Sequence, residues 1–157
     1  MSASADARHL ARTMALADIA ATVQSLSRKI RTHGPSDGAI PSLSTVEGAV
    51  LRHIHRFPGI TPSEIGAQLH IQASNTSTAL RDLEQRHLVA REVDPNDRRV
   101  VRVTVSANGI ALIDQLRVAS GALLDGVVPA DVDVVAIAQA LTAIDDALNG
   151  GPTGPSA

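Results

Sequence analysis

The stretch TPSEIGAQLHIQASNTSTALRDLEQRHLVAREVDPNDRRVVRVTVS, residues 61–106, decides the fold of this 157-residue chain. It opens with Thr61-Pro62-Ser63-Glu64, a capping box with proline at the first helical position, and so predicts a helix start. That short helix is expected to run to about residue 70, with the chain turning over residues 71–74. A second helix then spaces Thr76, Ala79, Leu80 and Leu83 by three and four residues, which makes one buried face. Its opposite face carries Ser74, Asn75, Ser77, Thr78 and Arg81, concentrated in the first half of the helix.

Two strands follow, over residues 89–93 and 100–105. Val89, Val93, Val101, Val103 and Val105 are set against Arg91, Arg102 and Thr104. Between the strands, Asp94-Pro95-Asn96-Asp97 supplies turn chemistry and Arg98-Arg99 two cations. Helix, turn, helix and hairpin is the order of a winged helix-turn-helix, and that order points to duplex DNA. The exposed hydroxyls, the amide and the guanidinium of the second helix suit base edges and phosphates in a major groove. The arginines at the hairpin tip suit the negative potential of a minor groove.

The segment LRDLEQRHLVAREVDPNDRRVVRVTVSANG, residues 80–109, resembles the MarR family of transcriptional regulators. It shares that family's Leu-Glu recognition-helix end, Leu-Val-x-Arg strand, Asp-Pro-x-Asp-x-Arg wing and Thr/Ser-x-x-Gly helix start. The resemblance implies that Arg99 enters the minor groove and that Asp97 helps to hold the wing. It also makes Arg98 a phosphate contact or wing brace, and Ser77 and Thr78 DNA-contacting positions of the recognition helix. One departure is His87, where the family usually has a helix-ending glycine; a left-handed backbone is expected there.

On both sides the pattern is helical. Residues 8–31 read as one helix with the apolar stripe Leu16, Ile19, Val23, Leu26 and Ile30. A Gly-, Pro- and Ser-rich loop then leads to a second capping box, Ser44-Thr45-Val46-Glu47. The helix it starts places Val46, Ala49, Val50, Ile54 and Phe57 on one face. Beyond the hairpin, Ser106 is expected to cap a helix bearing Ile110, Ile113, Leu116 and Leu123, which breaks near Val128-Pro129. The last helix spaces Val134, Ile137, Leu141, Ile144 and Leu148 by three and four, a pattern suited to a helix–helix seam.

The fold class is therefore mainly α (α+β), a winged helix-turn-helix with a two-stranded β wing and terminal dimerisation helices. Residues 43–106 form the DNA-binding region, residues 6–33 and 107–148 the dimerisation region, and residues 149–157 a tail too poor in apolar groups to pack. The resemblance favours a homodimer that reads a roughly palindromic operator with its two wings. It also implies a repressor released by a small aromatic or phenolic ligand held between the dimerisation helices and the wing region. His9, Arg12 and His53 are the candidate polar anchors for that ligand.

The net charge of −2 conceals an asymmetry. Residues 1–106 hold 13 Lys and Arg against 10 Asp and Glu, and residues 107–157 hold 1 against 6, so the acidic excess lies away from the proposed DNA face. With no cysteine there is no disulfide, thiolate metal site or cysteine redox switch. No secretory signal or membrane span is expected, which suits a cytoplasmic protein.

An enzyme is not expected, because Gly-rich phosphate loops, Gly-x-Ser-x-Gly elbows and His-Glu-x-x-His pairs are all missing. No cofactor is expected either. His53 and His55 stand two apart and cannot chelate as a helical pair, although the six scattered histidines leave a metal-responsive regulator as one alternative. Phe57 is the only aromatic residue, which leaves no stacking platform for single strands. A second alternative is a winged-helix adaptor that docks on a protein.

Overall fold

Side-chain hydroxyls start three of the helices. In the computed structural model, which describes residues 2–33 and 41–148, the elements run α1 (Ser2–His33), α2 (Thr45–Arg56), α3 (Pro62–Gln68), α4 (Ala73–Gln85), β1 (Val89–Val93), β2 (Val101–Val105), α5 (Ala107–Asp125) and α6 (Val134–Leu148). Ser44 Oγ accepts the Glu47 N–H at 3.2 Å, while the Glu47 carboxylate takes the Ser44 N–H at 2.6 Å. Thr61 and Glu64 repeat this reciprocal box at 3.3 and 2.8 Å. Each box satisfies amides that a helix start otherwise leaves without partners.

The ends of α3 and α4 are also built alike. After α4, the His87 N–H donates to Glu84 O and the Leu88 N–H to Leu83 O, both at 2.9 Å, with His87 at φ 55°. After α3, His70 and Ile71 donate to Ala67 O and Gly66 O, with His70 at φ 52°. These are paired C-terminal closures with a left-handed residue at the turn. His87 takes the conformation expected of it, and His70 does so without any sequence signal.

β1 and β2 form an antiparallel hairpin in the register Val89↔Val105 to Val93↔Val101. Ile60 bridges Val103 from outside, so the segment before α3 acts as a third, one-residue strand. The core joins Val50, Leu51 and Ile54 of α2 with Ile60, Ile65 of α3, Ala79, Leu80 and Leu83 of α4, Leu88, Val89, Val103, and Leu112 and Ile113 of α5.

Several expectations need correction. Phe57 is 39% exposed rather than in the core, because α2 ends before it and its ring lies against His53 and under the Arg56 guanidinium. Ile110 is also exposed; α5 turns Leu112 and Ile113 inward instead. On β1 the alternation fails, since Arg91 and Val93 share the face of Val89 and only Val89 is buried. The turn between α3 and α4 closes earlier than expected, so Ser74 lies within the first turn of α4. α1 is longer at both ends than residues 8–31, and α5 stops at Asp125. The proposed tail, residues 149–157, lies outside the described residues, as does most of the loop before Ser42.

The terminal helices leave their apolar stripes open. Leu16, Ile19, Val23 and Leu26 of α1 are 42–46% exposed, and Ile137, Leu141 and Ile144 of α6 are 40–49% exposed. α6 is tied to the rest of the chain by charge: Arg56 donates to Asp145 at 3.0 Å and also pairs with Asp146. Among the described residues no helix is long and apolar enough to cross a membrane.

One junction sets how α5 leaves the hairpin. Ser106 Oγ donates to His87 O at 2.6 Å and accepts the Gly109 N–H at 3.1 Å, joining the end of α4 to the start of α5. A Cβ on Gly109 would stand 2.1 Å from Leu88 O and 2.6 Å from Val105 Cγ1. Gly109→Ala is therefore expected to lower stability by about 2 kcal/mol or more, as overpacking against backbone does. His87→Gly should raise it by roughly 1 kcal/mol through relief of the left-handed strain. Urea unfolding of both variants at one protein concentration checks the pair; an unchanged midpoint for Gly109→Ala would contradict the close approach.

Candidate nucleic-acid interface

Burial sorts the residues of α4 cleanly. Thr76, Ala79, Leu80 and Leu83 face the core at 0–4% exposure, with the Thr76 hydroxyl donating to Gln72 O. Ser74, Asn75, Ser77, Thr78 and Arg81 are all exposed. α4 is also the helix whose N-cap, Gln72, makes no side-chain capping bond. Its first-turn amides therefore remain available as donors beside the exposed hydroxyls.

The wing loop is held by its two aspartates. Asp94 Oδ1 accepts the Asn96 N–H at 2.8 Å, and Asp97 Oδ1 accepts the Arg99 N–H at 2.9 Å. The Asp94 N–H donates to Val100 O and the Val100 N–H to Asp97 O, closing the loop at its base. Arg98 and Arg99 stand exposed at the tip, and with Arg81 they enter no ion pair among the described residues. Three cations are thus presented without a carboxylate partner.

Three other arginines near this surface are committed to scaffolding. Arg91 of β1 pairs with Glu84 of α4 at 3.1 Å, and Arg86 reaches Ser42 O and Glu47. Arg102 Nε meets Asp94 Oδ2 at 2.5 Å, and the same guanidinium donates to Gly59 O at 3.0 Å. The sequence reading missed Asp94 and Arg102 as a pair. Their signal was an aspartate opening the turn and an arginine eight residues on in the returning strand, a spacing that only the hairpin register converts into contact.

The Asn96 N–H, with the Arg102 guanidinium beside it, holds the Asp94 carboxyl below the usual carboxylate range. The N–H and hydroxyl of Thr61 do the same for Glu64. Burial raises Glu47, but the Ser44 hydrogen bonds and Arg86 outweigh it and leave it lowered.

The candidate ligand anchors are not gathered into one site. His53 is buried in α2, where its Nε2 meets Gln68 Oε1 at 2.8 Å and its ring lies 4.9 Å from Phe57. His9 and Arg12 are exposed on α1. Two open hollows, of about 420 and 470 Å³, are lined by other residues: one by Phe57, Ile60, Glu64 and Arg102 among others, one by Val23, Gln24, Ser27, Arg28 and Arg31. Among the described residues no cluster of three or more His, Asp or Glu side chains is placed to hold a metal.

Residues 42–100, which span α2 to the wing tip, match the family described as MarR. An HTH-type transcriptional regulator of Bacillus subtilis (strain 168), YwhA, is 34% identical over 84 residues; the match takes in 54% of this chain and 60% of that one. A MarR-like transcriptional regulator from Thermotoga maritima is similar in structure, with 27% identity, a TM-score of 0.57, and coverage of 83% of this chain and 94% of that one. FabT of Streptococcus pneumoniae, solved in complex with DNA, shares the fold at 19% identity and a TM-score of 0.57, over 89% of this chain and 96% of that one.

The lowered carboxyls give a signed pH dependence. A carboxylate whose folded value is depressed contributes in full above its unfolded value, near pH 4, and that contribution is lost as pH falls through the folded value. Exchange protection of the Asn96 amide, which Asp94 accepts, is therefore expected to stay level from about pH 8 to 5 and to fall below about pH 4. NMR-detected amide exchange checks this; loss of protection on raising the pH through neutrality would contradict it.

Proposed function

From the match of residues 42–100 to the MarR family, we propose that this chain is a duplex-DNA-binding transcriptional regulator of that family. Members of that family are regulators of transcription, not enzymes. The observation that carries the proposal is the sorting of α4, whose apolar stripe is used up by the core while Ser74, Asn75, Ser77, Thr78 and Arg81 remain outside. Arg98 and Arg99 at the wing add two exposed cations that enter no ion pair among the described residues. α4 enters the major groove, Ser77, Thr78 and Arg81 meet base edges and phosphates, and Arg99 enters the adjacent minor groove while Asp97 holds its backbone. Arg98 and the first-turn residues Ser74 and Asn75 contact phosphate. A DNA complex of the same fold, that of FabT, supports the docking.

The protein works in the cytoplasm as a homodimer on a roughly palindromic operator, and it represses by occupying a promoter. The stripes on α1 and α6 support the dimer, because apolar side chains at seam spacing stay 40–46% exposed in the single chain at Leu16, Ile19, Val23, Leu26, Leu141 and Ile144. A small aromatic or phenolic ligand releases the DNA by binding more tightly to a dimer geometry that cannot span both half-sites. With His53 bonded to Gln68, His9 and Arg12 are the exposed polar anchors left for it. Residues 43–106 serve as the reading head and residues 6–33 and 107–148 as the dimer frame.

Two measurements test this reading. Leu141→Asp places a charge in the seam and is expected to give monomers by sedimentation equilibrium at concentrations where wild type is dimeric; a wild-type monomer would overturn the assembly. Arg99→Ala is expected to weaken binding to the duplex upstream of the protein's own gene by roughly 1–3 kcal/mol and to reduce its salt dependence. Fluorescence anisotropy across a salt series reads both effects. Salt-insensitive binding that tolerates Arg99→Ala would instead favour an adaptor that docks on protein.

A further inference from the structure

Asp94 and Arg102 lie beside the residues read as DNA contacts without belonging to them. We propose that this pair is a positioning device: it sets the direction of the wing, and hence the placement of Arg99, without itself touching DNA. The inference rests on the DNA-binding reading and names what its wing contact depends on.

Asp94 is 7% exposed, whereas residues 95–99 are all exposed. Its two oxygens have separate tasks. Oδ1 takes the Asn96 N–H inside the loop, and Oδ2 takes Arg102 Nε from the returning strand. The Arg102 guanidinium extends the tie to Gly59 O at 3.0 Å. Gly59 belongs to the body of the fold, since its N–H donates to Val103 O and its neighbour Ile60 bridges Val103. One guanidinium thus links the loop, the strand and the turn before α3.

The hairpin has few other anchors. Past Val89, every residue of β1 is exposed, so apolar packing does not fix the outer part of that strand. Arg91 is level with Val103 in the register, which puts Arg102 on the opposite face. The Arg91–Glu84 pair therefore braces the hairpin toward α4 from one side and the Arg102 tie braces it toward Gly59 from the other. Two of the five N–H groups of Arg102 are already donated, one to Asp94 and one to Gly59.

The sign of one substitution separates positioning from simple charge. Asp94→Asn removes a negative charge beside Arg98 and Arg99, so charge alone predicts tighter binding to any duplex. Positioning predicts weaker binding to the specific duplex. The experiment is anisotropy on the full-length protein with wild type, D94N, R102K, R99A and S77A, and with D94N combined with each of the last two, on specific and nonspecific duplexes.

D94N and R102K are each expected to weaken specific binding about tenfold, the scale of one lost base or groove contact. In the R99A background D94N should cost nothing further, whereas with S77A its loss should multiply. D94N that binds the specific duplex as well as wild type or better overturns the proposal. So does a loss that multiplies equally on both backgrounds, which marks a general folding defect. Should wild type fail to discriminate between duplexes, the DNA reading itself falls and the pair has no contact to position, a result distinct from the other two.

Discussion

The burial of one face of α4 is the constraint on which the rest of the structure depends. Thr76, Ala79, Leu80 and Leu83 are drawn into the core by α2 and α3, and a helix so anchored has no rotational freedom about its own axis. Its polar face is then presented to solvent by elimination. The same burial fixes where α4 ends, and the closure at His87 and Leu88 delivers the chain directly into β1. The wing therefore inherits its starting position from the packing of α4.

A second set of contacts couples the winged helix to the long helices. Ser106 accepts from Gly109 and donates to His87, so the end of α4 and the start of α5 share one hydroxyl. The missing side chain at Gly109 lets α5 lie against the Leu88 carbonyl. At the far end, Arg56 joins α2 to Asp145 and Asp146 of α6. Packing at the hairpin junction is close and hard to deform, while the α6 tie is a surface ion pair that water and salt weaken. In the proposed dimer, the junction at α5 is the route by which a change in dimer geometry reaches α4.

The sequence made the winged helix legible because its signals are local. Two capping boxes, the spacing of Thr76, Ala79, Leu80 and Leu83, and the Asp-Pro turn each depend on neighbours within a few residues. Phe57 was misread for a long-range reason: its spacing continues the α2 stripe, but the helix stops at Arg56 and turns the ring outward. Leu112 was hidden by the apolar surroundings of α5, where many residues compete for one inward face. The Asp94–Arg102 tie depends on register, and His53 looked like a free polar anchor until Gln68 of α3 was brought beside it. Contacts between elements are where reading along the chain runs out.

The central claim is that the outer face of α4 and the tip of the wing form one DNA-binding surface. Hydrogen exchange followed by mass spectrometry, on full-length protein with and without its specific duplex, tests it most directly. The account predicts that peptides covering residues 73–81 and 94–100 gain protection together, at salt concentrations where binding is specific. Protection of neither segment, or of the terminal helices alone, would contradict it.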